Sequence, residues 1–129
     1  MKDRSKGYFA AVLLSAGSEA LSSNSVHSNV FCHHVTLAYR PDPETAEKYE
    51  GLIGEFVELR AVWMRTDEKG QAAIVSGIES ENKHPHVTIS CADGVEPVYS
   101  NELLAARKGK RTPLNIRLFA EVQFIPIEE

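Results

Sequence analysis

The sequence predicts an α+β domain. Strand-like and helix-like segments follow one another without the regular alternation of a doubly wound parallel sheet. Two of the strands also carry the same histidine-x-threonine pattern, which suggests two related halves. A chain of 129 residues suits one domain spanning 1–129, long enough to bury most of its unfolded surface. Apolar usage of 43% with 25% charged residues is that of an ordinary folded chain, neither disordered nor fibrous.

Taken in order, residues 7–14 (Gly-Tyr-Phe-Ala-Ala-Val-Leu-Leu) form an aromatic, branched run that predicts a buried strand ending at the small cluster Ser15-Ala16-Gly17-Ser18. Residues 19–28 are polar and serine-rich and read as a short helix or a loop. Residues 30–39 predict a second strand, closed by Arg40-Pro41. Asp42 as cap and Pro43 in the first helical position open a helix with Ala46, Tyr49 and Ile53 at helical spacing, ended early by Gly51 and Gly54. Residues 56–66 and 72–78 predict a hairpin turning at Asp67-Glu68-Lys69-Gly70. A strand over 85–90 follows, then a turn at Ala92-Asp93-Gly94. A helix over 100–107 and a last strand over 114–125 complete the chain.

Composition excludes several roles. A formal charge of −4, from 14 basic and 18 acidic residues, argues against coating long nucleic acid and leaves a small anionic ligand open. Two cysteines, Cys32 and Cys91, are too few for a disulfide framework, and no secretory leader pattern is present, so a cytoplasmic setting is expected. The apolar run over 8–14 is far too short to span a bilayer, and no membrane role is expected. A monomer is expected.

Chemistry concentrates in His34-Val35-Thr36 and His86-Val87-Thr88. Side chains alternate along a strand, so each motif presents an imidazole and a hydroxyl on the same face. Two such matches among five histidines would arise by chance on the order of one time in a hundred. The structural alternative, His and Thr merely covering a solvated face, also leaves unexplained the shared central Val and the apolar setting of both strands. Opening a cyclic phosphate requires a base for the attacking oxygen and an acid for the leaving one, and histidine serves both near neutral pH. Hydroxyl donors, here Thr36 and Thr88, stabilise charge building on the phosphate oxygens. That set needs no metal or cofactor, and it leaves open which histidine is the base.

The pattern resembles the 2H phosphoesterase superfamily, the LigT-like and cyclic phosphodiesterase proteins defined by two H-x-[ST] motifs. The resemblance takes in Gly7-Tyr8-Phe9-Ala10-Ala11-Val12, His33-His34-Val35-Thr36-Leu37-Ala38-Tyr39 and Pro85-His86-Val87-Thr88-Ile89-Ser90. It implies a bilobal, pseudo-symmetric fold of two antiparallel sheets with flanking helices around a central groove. It also implies a metal-independent phosphodiesterase acting on 2′,3′-cyclic phosphate nucleotides or RNA ends. Pro97-Val98-Tyr99-Ser100-Asn101 is similar to a segment of RNA-repair members, which makes Tyr99, Ser100 and Asn101 substrate-contact candidates beside Tyr8 on the first strand. Two alternatives stand beside this reading: a nuclease of cyclic oligonucleotide signals, as in phage-encoded members, and a catalytically silent nucleotide- or RNA-binding module. Two departures from the family pattern are His33 and Pro85, which replace plain aliphatics just before the motif histidines. The motif separation of 52 positions (86 − 34) is also short, which bears on substrate size.

Other residues allow competing roles. His33-His34 and His84-Pro85-His86 could suggest zinc, but no recognisable ligand spacing joins them to cysteines or carboxylates, and no metal site is expected. His33 and His84 read as strand-edge or supporting residues, and His27 as exposed. Cys32 shares a predicted strand face with His34 and is a nucleophile candidate, although free Cys is commonly core filling. Tyr39 and Trp63 read as core. Ser100-Asn101 also reads as a helix cap, and Lys108-Gly109-Lys110-Arg111 as a solvated basic turn.

Overall fold

A computed structural model describes residues 3–127. After a single 3-10 turn at Arg4–Lys6, the chain runs β1 (Gly7–Leu13), α1 (Ser15–Ser22), β2 (Asn29–Val30), β3 (His34–Tyr39) and α2 (Pro43–Glu50). It continues through β4 (Phe56–Thr66), β5 (Gly70–Ser76), β6 (His86–Cys91), α3 (Tyr99–Ala105) and β7 (Lys110–Pro126). Among the described residues the strands form one antiparallel sheet in the order β2-β6-β3-β1-β7-β4-β5, and β5 pairs in addition with β6. Six strands therefore close on themselves as a barrel, with three short helices. This corrects the expected bilobal α+β arrangement of two separate sheets. The strand β6 is hydrogen-bonded on both sides, to β5 from Gly70 opposite Cys91 onward and to β3 through Val35 opposite Val87, which removes the edges two separate sheets would keep.

All six barrel strands send alternate apolar residues inward to one core, among them Phe9, Leu37, Leu59, Val75, Ile89 and Leu118. Ala11, Ala61, Ala73 and Ala120 are also fully buried there, and such small side chains suit the narrow interior of a six-stranded barrel. Leu21 from α1 and Ala46 and Tyr49 from α2 join the same core. Each large side chain fully buried in this way stabilises the fold by about 1.5–3 kcal/mol.

Several local expectations shift. The first strand stops just before the small cluster at residues 15–18, and that cluster begins α1, where Gly17 lets the helix approach Leu118, whose Cδ2 lies 2.9 Å from where a Cβ would stand. α2 follows the expected signals, with Asp42 accepting from the Thr45 amide at 2.8 Å and Pro43 opening the helix. Ile53 lies beyond its end. The expected strand over 30–39 is broken at Cys32, whose φ of 50° turns the chain between β2 and β3. In the β4–β5 hairpin, Asp67 accepts from the amides of Lys69 and Gly70 at 2.9 Å each. α3 starts at Tyr99, so Ser100 lies inside the helix and does not cap it. The basic segment expected as a turn instead feeds β7, with Lys110 and Arg111 paired to Thr66 and Arg65. No helix among the described residues is long and apolar enough to cross a membrane.

Candidate active site

The motif strands meet at one rung of the barrel, Val35 opposite Val87. Both valines point inward and are fully buried, as are Leu37 and Ile89. Alternation then sends His34, Thr36, His86 and Thr88 outward, each half-buried. Antiparallel pairing about that rung relates the motifs by a local two-fold, so each histidine faces the other motif's threonine. The four side chains line a groove of about 670 Å³ on the outside of the barrel, together with Tyr8, Phe31, Tyr39, Asn82, Val98 and Asn101.

Contacts around the two motifs are unequal. His86 Nδ1 lies 2.7 Å from the His84 carbonyl oxygen, which can only accept, so Nδ1 carries the proton and Nε2 is left as the acceptor. His34 Nδ1 instead meets His33 Nδ1 at 3.0 Å, and its ring stands 5.4 Å from that of Tyr8. Thr88 Oγ1 shares a 2.8 Å hydrogen bond with Ser100 Oγ and makes a long 3.5 Å contact to the Pro97 carbonyl. Ser80 Oγ donates to the Thr36 carbonyl at 2.9 Å, tying the loop over 77–85 to β3.

Residues 27–123 match the family model of the fungal tRNA ligase phosphodiesterase domain. The chain belongs to that family. The family is one of 2H phosphoesterases, hydrolases of phosphodiesters. Among solved structures, a crystal structure of a fungal RNA kinase matches with a TM-score of 0.63 at 17% identity. The match covers 95% of this chain and 46% of that chain, and it speaks for the fold alone. This chain thus spans less than half the length of that relative. No curated protein matches the sequence.

In this phosphodiesterase domain, burial, followed by the neighbouring charges of His33 and His86, holds His34 down to about 4. Burial also lowers His86, against the opposing pull of its hydrogen bond to the His84 carbonyl. Both motif imidazoles are therefore neutral at neutral pH. Burial raises the Tyr8 hydroxyl, with Tyr39 adding to the effect. Among the described residues no three His, Cys, Asp or Glu side chains gather as a metal site.

Of the substrate-contact candidates, the structure brings Tyr8 and Asn101 to the groove wall with the four motif residues. Tyr99 and Ser100 are not among the lining residues. The Tyr99 hydroxyl donates to Asp67 Oδ2 at 2.5 Å under the β4–β5 turn, and Ser100, 2% exposed, supports Thr88 from behind. Cys32 is buried, its thiol directed to the Ile89 carbonyl and pushed up to about 11 by burial, so the kink removes it from the face of His34. Phe31 and Asn82, which the sequence does not single out, also line the groove, as do His33, read as a strand-edge or supporting residue, and Tyr39, read as core. The doubled histidine at 33–34 was a visible signal for one of them. Tyr39 was hidden because a register shift beside Phe9 and Ala10 breaks the alternation of β3, so that Leu37 and Ala38 are both buried and Tyr39 emerges on the groove side.

Proposed function

We propose that the chain hydrolyses 2′,3′-cyclic phosphates on RNA ends or nucleotides. The observation that carries this reading is the single Val35–Val87 rung that seats both H-x-T pairs over one groove. Membership in a phosphodiesterase family supports it. His86 Nε2 takes a proton from water as the water oxygen attacks phosphorus. The bond from phosphorus to one ribose oxygen breaks, and His34 Nε2 delivers a proton to that oxygen as its Nδ1 takes one up, so the ring ends neutral and a phosphomonoester is left beside a free hydroxyl. The Thr36 and Thr88 hydroxyls donate to the non-bridging oxygens as charge builds there, with Ser100 orienting Thr88. Tyr8, Phe31 and Tyr39 offer ring faces to a nucleobase. These residues complete the cycle without a metal.

The test is a panel of 2′,3′-cyclic nucleotides, RNA ending in a 2′,3′-cyclic phosphate, and 3′,5′-linked cyclic di- and trinucleotides, with products resolved by chromatography. Opening of the 2′,3′-cyclic substrates in the presence of EDTA is expected, with His34→Ala and His86→Ala each reducing turnover by about 10²- to 10⁴-fold while the folded spectrum persists. Activity abolished by EDTA and restored by zinc would sink the mechanism, and cleavage of the 3′,5′-linked compounds alone would sink the substrate.

A further inference from the structure

The groove holds a second exchangeable proton beside the motif pair. His33 stands on the solvent side of His34, with the two Nδ1 atoms 3.0 Å apart and the rings at 81°. Nitrogens in that arrangement share one proton, one donating and the other accepting. Hydrolysis requires a proton donor across the groove from His86, and His34 occupies that place. A charge on His34 itself is poorly solvated, because the ring is half-buried, and it is opposed by the neighbouring charges of His33 and His86. Among the described residues, the other titratable groups lining the groove are Tyr8, His33, Tyr39 and His86, and no carboxylate lines it to offset a cation. His33 is exposed, so water solvates a charge held there.

We propose that His33 is a positioning residue that holds the proton which His34 delivers. Protonated His33 donates its Nδ1–H to His34 Nδ1, and that fixes His34 in the tautomer with its proton on Nε2. When the bond from phosphorus to the ribose oxygen breaks, the Nε2 proton of His34 passes to that oxygen and the Nδ1 proton of His33 passes to His34 Nδ1. His33 ends neutral with its remaining proton on Nε2, His34 ends neutral with its proton on Nδ1, and the leaving oxygen is a hydroxyl. Solvent then returns a proton to His34 Nε2 while the His34 Nδ1 proton passes back to His33 Nδ1, His86 releases to solvent the proton it took from water, and the site resets. His86 has no counterpart to this partner, because its Nδ1 is held by a carbonyl.

The inference rests on the phosphodiesterase reading, and two measurements separate the fates of the two. Nitrogen-15 NMR of the free protein near pH 6 reads the tautomers without any substrate. His34 is expected with its proton on Nε2 in the unaltered chain and as a tautomer mixture in His33→Ala. A proton on His34 Nδ1 in the unaltered chain, or no change in His33→Ala, overturns the proposal. The second measurement is the pH–rate profile on a 2′,3′-cyclic nucleotide for His33→Ala and His33→Gln, the latter keeping a donor without a titrating proton. Both should lose about 10- to 100-fold in kcat with KM within about twofold, and the limb falling at high pH should move to lower pH. If His33→Gln keeps the kcat and limb of the unaltered chain, His33 is no proton store and the proposal fails. If the unaltered chain opens no cyclic phosphate while the tautomer result stands, the phosphodiesterase reading fails instead.

Discussion

Ser100 is a buried hydroxyl whose 2.8 Å bond holds the Thr88 hydroxyl in place at the groove wall. One such hydrogen bond contributes about 1 kcal/mol, so Ser100→Ala should lower kcat about fivefold with little change in KM. Thr88→Val, which removes the donor itself, should cost on the order of 100-fold, and equal losses in the two variants would contradict the assigned roles. His34 and His86 also link stability to pH. Both folded imidazoles resist protonation, so below the ordinary imidazole range, and for His34 down to about 4, the unfolded chain binds more protons at these groups than the folded one. The stability held by these two groups therefore falls as pH drops through that window, with His34 contributing on the order of 3 kcal/mol. Urea unfolding near pH 7 and near pH 4.5 should show the loss, and His34→Leu should shrink it. An unchanged pH dependence in that variant would show that the burial of His34 is not its source.

At the scale of elements, what was legible in the sequence followed local chemistry. Asp42-Pro43 opens α2, and Asp67 through Gly70 turns the β4–β5 hairpin, because caps and turns are determined within a few residues. Elements that depend on distant partners were misread. The helix α1 begins earlier than the short helix or loop expected over 19–28, where Gly17 packs against Leu118, a hundred positions away, and β7 begins earlier because its first residues are held by β4. Gly109 belongs to the same non-local logic: at φ +70° a Cβ there would stand 2.1 Å from the Thr66 backbone oxygen, at the start of the β4–β7 ladder. Gly109→Ala should cost about 2–4 kcal/mol, seen as a melting temperature roughly 10 °C lower, and a variant that melts like the parent would show that the turn relaxes freely. The kink at Cys32 has its own consequence. With both thiols buried and raised by that burial, neither cysteine should react with an alkylating reagent until the protein unfolds, and rapid native labelling of Cys32 would contradict its placement.

For the whole molecule, the family resemblance implied a central groove between the motifs, and the barrel puts the four side chains on one groove over its outer face. Closure of the barrel was not legible, since it depends on β6 finding β3 and β5 at once. The groove itself is short of charge. No Lys or Arg among the described residues lines it, Arg40 lies over the Tyr39 ring, and the chain carries a net −4. Substrate binding should therefore release few counterions, and KM should change less than about threefold between roughly 50 and 200 mM salt; a change of tenfold or more would point to an extended phosphate track. The rung at Val35 and Val87 has a further consequence for motion. It is the one register pair between β3 and β6, whereas β4 and β7 share a long ladder. Breathing of the barrel is thus cheapest directly beneath the groove, and the Val35 and Val87 amides should exchange with deuterium faster than those of Leu59 and Leu118. A nucleotide spanning both motifs would staple that seam shut, slowing exchange there before it slows anywhere else.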